Sequence, residues 1–333
     1  MDKKQRVEAA LRREEVDRVP LSLWRHYHRQ DRTAEGLAEA TLAFASEYDL
    51  DLIKLTPSGL YAVEDWAEPH IIYPGTDHDP PFLATLGISN SEGWRRLPEL
   101  EPEAGALGRE LEAIRLVADD PNDAPGGRPM VMMTIFSPLT LAYKLAGGHV
   151  FEDMHEKPAD LHAGLETIAE TTVRFSQAAL AAGAEGLFFA TQLASRTWLS
   201  PAQYAEFGER YDLAVLRAVA GESAITVLHL HGQDIYFDLA ETYPVDAVSW
   251  HDRETSPNLN EARRRTGRAF VAGLSRSALL EGPEETIQAE VQTALAATEG
   301  RGLILAPCCV IPTNTPDRHL EVVREASRYG WDA

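Results

Sequence analysis

Short runs of apolar residues recur along the chain, each closing on polar or special residues and followed by a stretch with helical spacing. They fall at 19–25 (VPLSLWR), 51–55 (DLIKL), 129–135 (PMVMMTI), 185–190 (EGLFFA), 224–230 (AITVLHL), 246–250 (DAVSW), 269–274 (AFVAGL) and 303–306 (LILA). The runs are rich in β-branched and aromatic residues and too short for free-standing helices, so they read as strands. Amphipathic stretches at 158–182, 201–220, 260–266 and 283–297 read as helices, several of them opening on proline or a Ser-Pro step. Eight strands alternating with helices predict a parallel sheet, and eight is the number that closes a (β/α)8 barrel. The structural rival, an open doubly wound sheet, usually carries a Gly-rich phosphate loop after its first strand. Here Arg25-His26-Tyr27-His28-Arg29 follows instead. The expectation is a single barrel domain over residues 1–333, with an insertion or lid at 64–103 and a turn-rich acidic loop at 118–128.

Composition narrows the class of ligand. With 31 Lys+Arg against 52 Asp+Glu the net charge is −21. That field repels nucleic acid and anionic membrane surfaces, so neither is expected as a partner. No apolar run is long enough for a membrane span, and the charged first ten residues do not resemble a signal peptide. Two adjacent cysteines, Cys308 and Cys309, build no disulfide framework, so a cytoplasmic location is expected.

A barrel places its chemistry where strands end. Those ends collect five of the eleven histidines and both cysteines: His26 and His28, then His229 and His231, His251, and Cys308 with Cys309. His229 and His231 are two apart on a strand and leave one face. With Cys309 from the last strand they make three protein ligands and an open position, the pattern of a catalytic zinc. The plainer alternative is hydrogen-bonded core histidines, with Cys308 a packing residue. Arg25 and Arg29 at the mouth suit a carboxylate or phosphate, or else pair with surface acids. Ser58 and Gln192 are candidate substrate contacts. His26, His28 and His251 are candidates for moving protons, and His251 with Asp252 is alternatively a ligand or simply loop polarity. Lys54, inside an apolar run, is either paired with a carboxylate or part of a site.

Several dispersed stretches carry a resemblance. Arg13 to Pro20 (REEVDRVP), Ser137 to Ala142 (SPLTLA), Ala182-Gly-Ala-Glu185 with Leu199-Ser-Pro201, and Val310 to Pro316 (VIPTNTP) occur in an order similar to that of the uroporphyrinogen decarboxylase superfamily. The resemblance implies a (β/α)8 barrel over nearly the whole chain. The decarboxylases carry R-Q-A-G-R after the first strand, where this chain keeps only Arg25 and Arg29. They also carry an aspartate where Ser58 stands and a histidine where Cys308 stands. A second branch, the zinc-dependent, corrinoid-linked methyltransferases, binds zinc through H-x-C and a later G-C-x-x-P. His229-Leu230-His231 and Cys309-Val-Ile-Pro312 resemble those motifs, with histidine as the second ligand. The resemblance therefore implies methyl or similar small-group transfer on zinc, with Arg25 and Arg29 positioning an acidic substrate. Any corrinoid would come from a partner protein, since no D-x-H-x-x-G signature is present. Metal-free decarboxylation of uroporphyrinogen or another poly-acid is the alternative. A non-catalytic partner of a corrinoid protein is a third reading, and a homodimer is compatible with any of them.

Overall fold

The computed structural model describes residues 1–67, 71–121 and 126–329. Seven strands form one sheet: β1 (Leu52–Leu55), β2 (Met130–Phe136), β3 (Gly186–Thr191), β4 (Ile225–Leu230), β5 (Ala247–Trp250), β6 (Ala269–Leu274) and β7 (Leu303–Pro307). All neighbours are parallel, and each strand pairs with the next in the chain. Every residue of these strands is buried. Helices cover the outside and side chains fill the lumen, which is why the runs read as continuously apolar rather than alternating.

The eighth stave departs from the expectation. Residues 19–25 form no laddered strand; the segment is extended and makes only isolated parallel bridges, Leu21 to Leu305 and Arg25 to Ile311. It still closes the barrel, because it bonds to both flanking strands. Leu21 O accepts from Asp51 N (2.9 Å), Pro20 O from Leu305 N (2.8 Å) and Trp24 O from Ile311 N (3.0 Å). Pro20 has no N–H to donate, which interrupts a ladder at its start. The fold is thus a (β/α)8 barrel whose first stave is held by a few bonds and by side chains.

Three of the four expected helices fall within two residues of their predicted ends: Pro158–Ala181, Leu259–Arg265 and Glu284–Thr298. The fourth, over 201–220, is interrupted by a π-helical turn at Ala205–Glu209. Its Gly208 lies against the Tyr204 ring, where a Cβ would come within 2.6 Å of Cε2. The 64–103 segment holds a short helix Glu64–Ala67, an antiparallel pair of Ile71–Ile72 with Phe82–Leu83, and a 3-10 turn Ser91–Arg96. Trp94 pins its base: the indole is fully buried, donates from Nε1 to Asp153 Oδ2 (2.7 Å), and rests on Gly164. The outer part reaches the loop beyond β7, where His78 Nδ1 lies 2.9 Å from Thr313 Oγ1. Part of the predicted 118–128 loop, residues 122–125, lies outside the described residues. Among the described residues no helix is long and apolar enough to cross a membrane.

Candidate active site

Register across the sheet assembles the site. His229 on β4 stands level with Ala190 on β3 and Ser249 on β5. Ser249 Oγ engages its Nδ1 at 3.1 Å, which leaves Nε2 for the lumen, and the ring stacks on Phe188 with centroids 5.1 Å apart. His231 follows at the strand end. His251, just past β5, approaches it with Nε2 at 3.3 Å from His231 Nδ1 and is held from behind by Glu254 Oε2, 3.0 Å from its Nδ1. Cys309, beyond β7, brings Sγ to 3.7 Å from His231 Nδ1. One donor atom from each of His229, His231, His251 and Cys309 lies within 4.8 Å of the others. The structure therefore brings together His229, His231 and Cys309, and adds His251 as a fourth donor.

Electrostatics follows from this packing. Burial pushes His229 down to about 4, so its imidazole is neutral. Burial opposes ionisation of Cys309, but the hydrogen bonds of His229, His231 and His251 outweigh it and hold the thiol well below its ordinary range. Its neighbour behaves oppositely: burial raises the Cys308 thiol to about 12, with Glu254 Oε1 at 4.0 Å. Adjacent in sequence, one cysteine is a thiolate facing imidazoles and the other an inert buried thiol.

These groups open on a cavity of about 250 Å3 at the C-terminal ends of the strands, walled by Trp24, Phe136, Phe188 and Val310. His26 and Gln192 line it, and the Gln192 backbone N–H donates to Thr140 Oγ1 (3.0 Å). Burial, then the nearby Lys54 charge, push His26 down to about 3, so its imidazole is neutral. His28 stacks behind it with centroids 5.2 Å apart and does not line the cavity; Nδ1 of both rings has no partner. A larger hollow of about 860 Å3 lies outside the barrel and contains none of the strand-end histidines or cysteines.

Three expected substrate contacts point elsewhere. Arg25 packs its guanidinium over Phe44 (4.9 Å to the centroid), with Nη1 3.9 Å from Asp317, so aromatic faces and a carboxylate draw it out of the cavity. Arg29 is exposed, 3.8 Å from Asp77 in the 64–103 segment. Ser58 is buried but turns its Oγ to accept from Leu60 N (3.2 Å) and stabilises a turn instead. Two lysines line the cavity in their place. Lys54 on β1 donates to Thr56 Oγ1 (3.2 Å), and Nζ sits 4.6 Å from the Phe188 centroid. Lys144, in the helix Pro138–Ala146 that follows β2, holds Nζ 4.5 Å from the Phe136 centroid. Burial lowers them to about 7 and about 8. Lys54 stood out in the sequence as a lone charge in an apolar run. Lys144 carried only the weaker signal of a cation on a largely apolar helix, and was missed.

A parallel barrel with titratable side chains gathered at the C-terminal mouth is the architecture on which enzymes of this fold place their chemistry. Comparison with known proteins makes the class specific: the family model described as Uroporphyrinogen decarboxylase (URO-D) matches residues 2–329. The chain belongs to the uroporphyrinogen decarboxylase family. It is similar to the uroporphyrinogen decarboxylase of Edwardsiella ictaluri, 28% identical over 89% of this chain and 83% of the relative. It is also similar to the methylcobamide:CoM methyltransferase MtbA of Methanosarcina mazei, 24% identical over 98% of this chain and 97% of the relative. A solved methyltransferase structure from Methanosarcina mazei shares the fold, with a TM-score of 0.82 at 22% identity and 98% of each chain covered. Family members are thus enzymes of two reaction types.

Proposed function

We propose that the chain is a zinc-dependent methyltransferase that passes a methyl or similar small group to a small nucleophile held in the 250 Å3 cavity. The observation that carries this reading is the convergence of a low-pKa thiol and three imidazoles on one point of the cavity wall. Nitrogen and sulfur donors suit zinc better than the hard, oxygen-seeking cations. His229, His231 and Cys309 would hold the metal, while His251 braces His231 or supplies a fourth donor. Bound zinc lowers the pKa of a coordinated thiol, hydroxyl or water.

The chain's own groups do the rest. Ser249 fixes the His229 ring, and Phe188 and Trp24 exclude water. His26, a neutral imidazole on the cavity wall, offers the bound acceptor a hydrogen bond, and the proton the acceptor sheds leaves to solvent. The methyl group would come from a methylcorrinoid delivered by a partner protein, the donor class of the methylcobamide relative: the cobalt–carbon bond breaks with its electron pair left on cobalt as Co(I), while the acceptor's lone pair forms the new bond to the methyl carbon.

The decarboxylase alternative rests on relatives. The cavity falls below the roughly 300–1,000 Å3 of sites for drug-sized ligands, well short of a cyclic tetrapyrrole. Arg25, one intended carboxylate clamp, faces away from it. The test pairs metal analysis of the purified protein with methyl transfer from methylcobalamin to small thiols. About one zinc per chain and turnover dependent on it are expected. Metal near zero after zinc supplementation, or carboxyl loss from uroporphyrinogen with no methyl transfer, overturns the reading.

A further inference from the structure

Lys54 and Lys144 pose a physical problem that the proposed metal chemistry does not use. Both line the cavity, and neither has a carboxylate partner among the described residues. Lys54 is 5% exposed. The chain carries 52 Asp and Glu against 31 Lys and Arg, yet among the described residues no carboxylate is paired with either ammonium group, and the anion that acts on Lys54 is the Cys309 thiolate of the histidine cluster. Their surroundings are instead aromatic faces: Trp24 and Phe188 around Lys54, and Phe136 beside Lys144. Such faces help a cation, but they do not replace the hydration lost on burial.

The sheet register sets the spacing. Phe188 is level with Thr134, two residues before Phe136 on the neighbouring strand. The rings under the two ammonium groups are therefore about one pleat repeat apart, roughly 7 Å along the wall. Each ammonium group loses hydration in the same small cavity, and an anion bound there offsets that cost for both.

We propose that Lys54 and Lys144 form an oxyanion subsite that takes the carboxylate, sulfonate or phosphate group of a small ligand lodged in the same cavity as the histidine and cysteine cluster. The subsite stands on the lysines alone. Assigning its ligand as the methyl acceptor rests on the proposed function, and makes that acceptor a short molecule with a nucleophile at one end and an oxyanion at the other. The ammonium groups take the role that the Arg25 and Arg29 pair was expected to play.

The experiment compares calorimetric binding of 3-mercaptopropionate with that of its neutral amide, in wild type, Lys54→Met, Lys144→Met and the double variant. Methionine fills similar volume, and replacing a buried charge by an apolar side chain is often neutral or stabilising, so the variants are expected to fold with unchanged zinc content. Wild type should prefer the carboxylate by about 10- to 100-fold, the range for charge-assisted hydrogen bonds. The double variant should lose that preference while binding the amide as before. Equal binding of both probes by wild type, or a preference that survives in the double variant, overturns the proposal. Repeating the titration with propionate on chelator-stripped protein separates the two readings. A preference for propionate over propionamide that vanishes with the lysines keeps the subsite even if zinc is never found.

Discussion

Asp51 should be among the most costly single residues to neutralise, and the reason lies in how the barrel closes. The carboxylate is fully buried at the start of β1. It accepts from Arg6 Nη1 (2.6 Å), from Arg18 Nη1 (2.6 Å) and Nη2 (3.1 Å), and from the backbone N–H of Leu21 (2.9 Å). Its own backbone N–H donates to Leu21 O, and its carbonyl accepts from Met130 N. One residue thus ties the unladdered first stave to β1 and β2. In Asp51→Asn the shape survives but the charge is lost, and an amide nitrogen then faces donors that need an acceptor. Removing one partner of a buried ion pair costs about 3–5 kcal/mol. Arg6 keeps Asp17 (Nε to Oδ1, 2.7 Å), which argues for the lower half of that range.

Urea unfolding should show the midpoint falling by up to about 1 M, because the slope for a chain of this size is at or above about 3 kcal/mol/M. The loss should be the same at low and at molar salt, because buried pairs are weakly screened. Hydrogen exchange supplies the local readout. The Leu305 and Ile311 amides, which bond to Pro20 and Trp24, should lose protection before those of β3 and β4. A loss under about 1 kcal/mol, or uniform loss of protection throughout the sheet, would refute the idea that this carboxylate closes the barrel.

Cys309→Ala should weaken zinc binding by about 100- to 1,000-fold in a competition titration, one ligand's share of the affinity of a four-donor site, whereas Cys308→Ala should leave it unchanged. Asp212 is buried with Oδ2 held by Tyr204 (2.6 Å) and Tyr243 (2.9 Å), and burial raises it from 3.8 to about 7. The folded state therefore keeps a proton that the unfolded chain gives up. The stability this carboxyl contributes is full below pH 4 and lost as pH rises through 7, on the order of 4 kcal/mol. The difference in unfolding free energy between wild type and Asp212→Asn should follow that slope, and a pH-independent difference would count against it. Gly164→Ala places a Cβ 2.6 Å from Trp94 Cε3 and should cost about 1–3 kcal/mol in thermal unfolding, with reduced burial of Trp94 seen in its fluorescence.

How much of this was legible depends on whether chain spacing or inter-strand register makes the decision. The alternation of elements and the shared face of His229 and His231 follow from local periodicity, so both could be read directly. The place of Cys309 at the end of the last stave followed from counting strands. His251 joins the cluster only because β5 sets Ser249 level with His229, a register that no local pattern encodes. Arg25 misled for the complementary reason. Its position at a strand end was right, but its direction is decided by Phe44 and Asp317, both distant in sequence. The same asymmetry explains the lysines. A charge within an apolar run signals that something must compensate it, but only the assembled wall reveals that the chain supplies no carboxylate to do so. In an acidic protein, lysines left without a carboxylate beside a cavity therefore point to the ligand more directly than the arginines of the motif do, because surface acids can satisfy an exposed guanidinium but do not reach these ammonium groups.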